Sequence, residues 1–157
     1  MKIYHFEDEW PKGRSIAHRL HDRVFDWLPP GRQIDLDLTE EEHPTSDDPA
    51  RIRVTLKDIV VFEYVLVTTI VSLQSHVTKD DVVIVDIMRS NETGHFVSIL
   101  DDVLRIFREG EHKRENWRYF SAYPERVAED CELSGFAKKE NGKLLQFLFE
   151  KIEGQLK

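Results

Sequence analysis

The chain has 157 residues, of which 40% are hydrophobic and 33% charged, a mixture typical of a single globular domain. Its 30 acidic and 22 basic residues give a formal net charge of −8, which argues against a general nucleic-acid-binding surface. The one cysteine, Cys131, can form no internal disulfide, and the longest apolar run is interrupted by Glu63 and too short for a membrane span. We therefore expect a single cytoplasmic domain, residues 1–157, without a nucleic-acid or membrane partner.

The first third of the chain predicts alternating strands and helices. Residues 2–6 indicate a short strand, and apolar residues at helical spacing predict a helix over 15–28. Strict alternation over 33–38 indicates a half-buried strand. Residues 39–50 are acidic and contain proline, which is typical of a surface loop, and 51–56 could form another short strand.

Residues 56–73 give conflicting signals. Thr55 and Asp58 stand in capping-box relation, and the apolar residues that follow have helical spacing. The same stretch is rich in β-branched residues, which favours a strand. Because a single strand of this length is rare, we predict a helix.

The second half of the chain indicates a parallel sheet. Residues 81–86 form an apolar run that is typical of a strand covered on both faces. After it we predict, in order, a helix over 94–108, a strand over 117–122, a short helix over 124–133, a strand over 136–138 and a helix over 141–152. Such alternation predicts helices on both faces of a parallel sheet, with the working site beyond the carboxyl ends of the strands.

Polar residues follow the predicted strands at that edge. Glu7 and Asp8 follow the first strand, and Asp86 ends the central apolar strand. Three neighbouring carboxylates repel one another and require a cation, and oxygen ligands of this number suit Mg²⁺. Later strands deliver Ser121 and the lysine pair 138–139, and a hydroxyl with an ammonium group would complete a cradle for a phosphoryl group.

This order of residues resembles the receiver domain of two-component response regulators. The segments that carry the resemblance are KIYHFEDEW, DIMRSNETG, FSAY and SGFAKKEN. The resemblance implies a doubly wound, five-stranded parallel sheet of flavodoxin-like type, with strand order 2-1-3-4-5 and an insertion after the second strand around residues 39–56.

The resemblance also implies roles for individual residues. Asp86 would accept the phosphoryl group, and Ser121 and Lys139 would contact the phosphoryl oxygens. Mg²⁺ would be held by Glu7, Asp8 and Asp86 with the backbone carbonyl of Met88, and Phe136 would occupy the aromatic switch position.

The sequence departs from the family pattern at several places. The insertion is long, and Arg89-Ser90 stands where Met-Pro is typical. Glu140 replaces the proline that usually follows the lysine, so we expect a trans bond there, with Lys139 displaced and Lys138 as the alternative lysine. The spacing from Ser121 to Lys139 is short, which leaves the fourth helix short or partly unwound.

The resulting expectation is a non-enzymatic phosphoprotein of a two-component phosphorelay. A histidine kinase or phosphotransfer protein would act upstream and an unidentified protein downstream, with no room for a DNA-binding output domain after the last helix. The alternative is a pseudo-receiver that binds a partner constitutively. A Mg²⁺-dependent phosphotransferase or phosphatase is disfavoured, because Met88 rather than an acid stands two residues after Asp86. Taken singly, each residue also fits a structural role, such as a helix cap for Glu7.

Overall fold

The computed structural model describes residues 1–7, 10–41, 49–86, 95–122, 127 and 131–156, except for the side chains of 95–99. Its elements in chain order are β1 (Lys2–Phe6), α1 (Trp10–Trp27), α2 (Pro30–Gln33), β2 (Leu36–Glu41), β3 (Ala50–Leu56), β4 (Ile59–Val67), α3 (Ile70–His76), β5 (Val82–Asp86), α4 (His95–Glu109), β6 (Trp117–Ser121), β7 (Gly135–Ala137) and α5 (Asn141–Leu156). Two short 3₁₀ turns, Arg114–Asn116 and Lys138–Glu140, precede β6 and α5. The predicted mixed α/β architecture is confirmed.

A single sheet organises the molecule, and in the described residues it has seven strands in the order β2-β3-β4-β1-β5-β6-β7. β4, β1, β5, β6 and β7 pair in parallel, whereas β2 and β3 pair antiparallel with each other and with β4. The sheet is therefore mostly parallel, with a two-stranded antiparallel extension at one edge.

Helices cover both faces of this sheet, as the sequence predicts. On one face, Leu20 of α1 and Leu148 of α5 belong to the same buried cluster as Ile84 of β5. On the other face, α3 and α4 pack through residues such as Leu73 and Val103. Successive residues of β5 alternate between the two clusters, which is why this strand is apolar throughout.

The predicted helix over residues 56–73 is wrong. Most of that stretch forms β4, and a helix begins only at Ile70, where the Thr69 hydroxyl accepts a hydrogen bond of 3.1 Å from the Ser72 amide. Lys57 and Asp58 have φ values of 50° and 66° and form the hairpin turn between β3 and β4 instead of a capping box. β4 is buried on both faces over most of its length, and this burial produces the dense apolar sequence that also fits a helix.

The expectation of a five-stranded sheet is therefore also wrong. The strand predicted over 33–38 lies at 36–41 as β2, at the sheet edge, and β4 rather than β2 is the neighbour of β1. The proposed insertion, 39–56, supplies the end of β2 and all of β3, while residues 42–48 lie outside the described residues. Arg14 and His18 of α1 contact Glu40, which attaches this edge strand to the helix.

The remaining elements agree with the sequence to within a few residues, apart from an earlier start of α1. That helix begins at Trp10 instead of residue 15. The predicted short helix over 124–133 lies mostly outside the described residues. Where the structure describes the chain, its helices are too short or too polar to cross a membrane.

One ion-pair cluster fixes the antiparallel extension to the parallel sheet. Glu63 of β4 is only 5% exposed, and its carboxylate accepts hydrogen bonds of 2.9 Å from Arg51 and 2.9 and 3.1 Å from Arg53, both on β3. Burial alone would raise the pKa of Glu63, but the hydrogen bonds from the two arginines outweigh it and lower the pKa. The charged form of Glu63 is therefore stabilised by folding.

We predict that Glu63→Gln lowers the free energy of unfolding at neutral pH by about 1–3 kcal/mol, because it removes charge-assisted hydrogen bonds. The folded-state pKa is lowered, so the wild-type advantage is present above the unfolded glutamate pKa of about 4.3 and is lost as the pH falls through the folded-state value. Urea unfolding at several pH values measures this. The exposed Glu115→Gln is the control, and an equal loss in both variants would contradict the assignment.

Candidate functional site

The carboxyl ends of four neighbouring parallel strands, β1, β5, β6 and β7, meet at one edge of the sheet. Phe6 of β1 lies opposite Val85 of β5, which brings Glu7 level with Asp86. Asp86 in turn lies opposite Phe120 of β6. Residues that are far apart in the sequence are therefore brought to a common rim by the strand register.

A buried charge cluster occupies this rim. The carboxylates of Glu7 and Asp86 are each only 1% exposed. The Lys138 ammonium donates a hydrogen bond to Asp86 Oδ2 and lies 3.9 Å from Glu7 Oε2. One lysine thus faces two carboxylates, which leaves a formal charge of −1 on these three groups. Buried carboxylates of this kind need compensating charge, and Lys138 supplies part of it.

The lysine in this cluster is Lys138, not Lys139. Strand alternation places Lys138 on the same face as Phe136, which packs against the cluster under α1 and α5. Lys139 is exposed in the 3₁₀ turn that follows β7. The turn begins directly after Ala137, so the first lysine reaches the rim and the second faces solvent. The described residues contain no cis peptide bond, in agreement with the expected trans bond before Glu140.

The other residues expected at the site have different positions. Ser121 ends β6 at the same rim and is fully buried, and alternation along β6 places it on the face of Tyr119, opposite Phe120. Asp8 and Met88 lie outside the described residues. The structure therefore brings Glu7, Asp86 and Lys138 together, with Ser121 at the same edge of the sheet but on its other face.

His5 is a site residue that the sequence analysis missed. It is fully buried on β1, two residues before Glu7, and its Nδ1 lies 2.6 Å from the Tyr64 hydroxyl. Burial lowers the pKa of His5 to about 4, while the smaller influence of Asp86 raises it and that of Lys138 lowers it. His5 is therefore neutral at physiological pH. The available signal was its place between Tyr4 and Phe6, in a strand that is buried after Lys2.

The donor chemistry at the rim fits Mg²⁺. Carboxylate oxygens are the ligands that Mg²⁺ prefers, and Mg²⁺ needs few of them because it retains several waters. Glu7 and Asp86 would hold the ion. A set of three acidic, histidine or cysteine side chains able to hold a metal is not found in the part of the chain that the structure describes.

No family model, curated protein or solved structure matches this chain.

We predict that Lys138→Met lowers the free energy of unfolding by roughly 1–3 kcal/mol, because it removes a cation that contacts the buried Asp86 carboxylate and lies near that of Glu7. Lys139→Met is the matched control and should change stability by less than about 0.5 kcal/mol, since its side chain is exposed. Denaturant unfolding of both variants measures the difference. In an Asp86→Asn background the loss caused by Lys138→Met should shrink, as a double-mutant cycle would detect. A larger effect from Lys139→Met would contradict the assigned contact.

Proposed function

We propose that this chain is a receiver-like signalling protein that accepts a phosphoryl group on Asp86 and signals through protein–protein contacts, without being an enzyme in its own right. The observation that carries the proposal is the contact of Lys138 with Asp86 beside Glu7 at the carboxyl edge of a parallel sheet. A lysine held between two buried carboxylates is the arrangement expected of a phosphoacceptor site in a receiver domain.

The sheet order supports the proposed flavodoxin-like fold. If only the parallel strands are counted in chain order, β4-β1-β5-β6-β7 becomes 2-1-3-4-5. In such sheets, ligands bind at the carboxyl ends of the strands where the strand order reverses, between β1 and β5. Glu7 and Asp86 lie directly after β1 and at the end of β5. On this proposal, β2 and β3 are an antiparallel addition to the outer edge.

The proposed reaction uses side chains already in place. A carboxylate oxygen of Asp86 attacks the phosphorus of a phosphohistidine, a P–O bond forms as the P–N bond breaks, and the imidazole leaves with the bonding electron pair. Lys138 then moves from Asp86 Oδ2 to the phosphoryl oxygens. When bound, Mg²⁺ would offset the negative charge on the phosphoryl oxygens.

The proposed partners follow from this chemistry. A histidine kinase or phosphotransfer protein would supply the phosphohistidine, and an unidentified protein would recognise the phosphorylated form. Movement of Lys138 toward the phosphoryl group would change the environment of Phe136, two residues earlier in β7, and so could transmit the signal to the α5 side of the sheet.

One observation favours the second candidate, a pseudo-receiver that binds its partner constitutively. The Lys138 ammonium already balances the charge of Asp86 without a cation or phosphoryl group. An aspartate that is already paired in this way would suit a protein whose rim has a purely structural role.

We predict that wild-type protein incubated with Mg²⁺ and acetyl phosphate gains the mass of one phosphoryl group, and that hydroxylamine removes it, as expected for an acyl phosphate. Asp86→Asn should abolish the gain, because its side-chain amide cannot act as the nucleophile. Asp37→Asn, which alters an exposed carboxylate on β2, is the matched control and should be phosphorylated like wild type. Intact-mass spectrometry measures all three proteins.

Two results would decide against phosphotransfer. Absence of any mass gain in folded wild-type protein would favour the pseudo-receiver. A gain that persists in Asp86→Asn would show that another residue is modified.

A further inference from the structure

A pocket of about 350 Å³ lies beside the charge cluster, on the face covered by α1 and α5. It is lined by the first three turns of α1, by the start of α5, by the carboxyl ends of β1 and β6, and by Lys138 directly after β7. Ile16 of α1 and Phe120 of β6 contribute apolar surface, and Ser15 and Asn141 contribute polar groups. The volume suits a small organic molecule.

Positive charge predominates among the residues that line the pocket. Lys12, Arg19 and Lys138 are cationic, and Glu7, which lies next to Lys138, is the one acidic side chain among the lining residues that the structure describes. Both helices begin at the pocket, so their N-terminal partial positive charges add to the field. The pocket therefore attracts a negatively charged ligand despite the net charge of −8 on the whole chain.

His5 supplies a buried polar group with an open hydrogen-bonding position. His5 Nδ1 lies 2.6 Å from the Tyr64 hydroxyl, and either group can be the donor of this hydrogen bond. When the hydroxyl donates, the neutral imidazole carries its own hydrogen on Nε2. This atom is buried and has no hydrogen-bond partner among the described residues, while the ring lines the pocket. A buried donor without an acceptor is unfavourable unless a ligand or water supplies one.

We propose that this pocket binds a small organic anion, an apolar ring or short chain that carries a phosphate or carboxylate group. Lys12, Arg19 and Lys138 would contact the anionic group. Ile16 and Phe120 would pack against the apolar part, and the His5 imidazole would donate a hydrogen bond at the base of the pocket.

The ligand would also have a regulatory effect, which rests on the proposed function of Asp86. Lys138 belongs both to the pocket and to the charge cluster. A ligand that holds its ammonium would draw it away from Asp86, and the phosphorylated form of Asp86 would need the same ammonium. Ligand binding and phosphorylation would therefore compete.

Calorimetric titration with phenyl phosphate, in buffer free of Mg²⁺, tests the binding site. The ring matches the apolar wall and the dianion matches the cationic residues, so we expect phenyl phosphate to bind at least about tenfold more tightly than inorganic phosphate or phenol. Equal affinity for phenyl phosphate and inorganic phosphate, or no binding of phenyl phosphate, would overturn the proposal.

Two exposed arginines provide a matched pair of variants. Arg19→Gln removes a pocket charge and should weaken phenyl phosphate binding roughly tenfold, whereas Arg32→Gln removes a charge outside the pocket and should have no effect. Equal effects of the two substitutions would show that net charge, not the pocket, determines affinity and would overturn the site. His5→Leu should also weaken binding, and its thermal unfolding shows whether the protein remains folded.

The coupling has its own test. Asp86→Asn removes a partner of Lys138, so this variant should bind phenyl phosphate severalfold more tightly than wild type. Unchanged or weaker binding would overturn the coupling. Because the titrations contain no Mg²⁺ and no acetyl phosphate, binding can succeed where phosphorylation of Asp86 fails, and the reverse.

Discussion

The site depends on one buried electrostatic constraint, the sharing of a single lysine between two carboxylates. Glu7 and Asp86 come from strands separated by most of the N-terminal half of the chain, and the parallel register holds them level. Lys138 contacts Asp86 and lies 3.9 Å from Glu7, so it offsets part of the cost of burying two charges side by side.

The sequence was informative where burial and periodicity pointed to the same structure. The continuous apolar run before Asp86 is typical of a central strand, and the structure places that strand in the middle of the parallel region. Residues 56–73 were assigned incorrectly, because a strand buried on both faces and an apolar helix produce similar sequences. The positive φ values of Lys57 and Asp58 mark a hairpin turn that neither residue type identifies with certainty.

The sequence predicted which edge of the sheet carries the site, but not every residue that lies there. Strand ends identify Glu7 and Asp86, but the choice between Lys138 and Lys139 depends on where β7 stops, a boundary that a three-residue strand does not reveal in sequence. His5 was hidden for a different reason. Its importance comes from the adjacent pocket and from Nε2, which has no hydrogen-bond partner among the described residues. Both depend on packing between α1 and the sheet, whereas its position in a buried strand is all that the sequence shows.

The antiparallel hairpin formed by β2 and β3 is a structural part of the sheet and not a dispensable addition. β3 pairs with one edge of β4 along its whole length and supplies both arginines that pair with Glu63. It also places Ile52 in the cluster that contains residues of α1. Deleting the hairpin to obtain a smaller domain would make β4 an exposed edge strand. It would also remove both arginines that pair with the buried Glu63 carboxylate. We expect such a shortened chain to self-associate through the unpaired backbone N–H and C=O groups of β4.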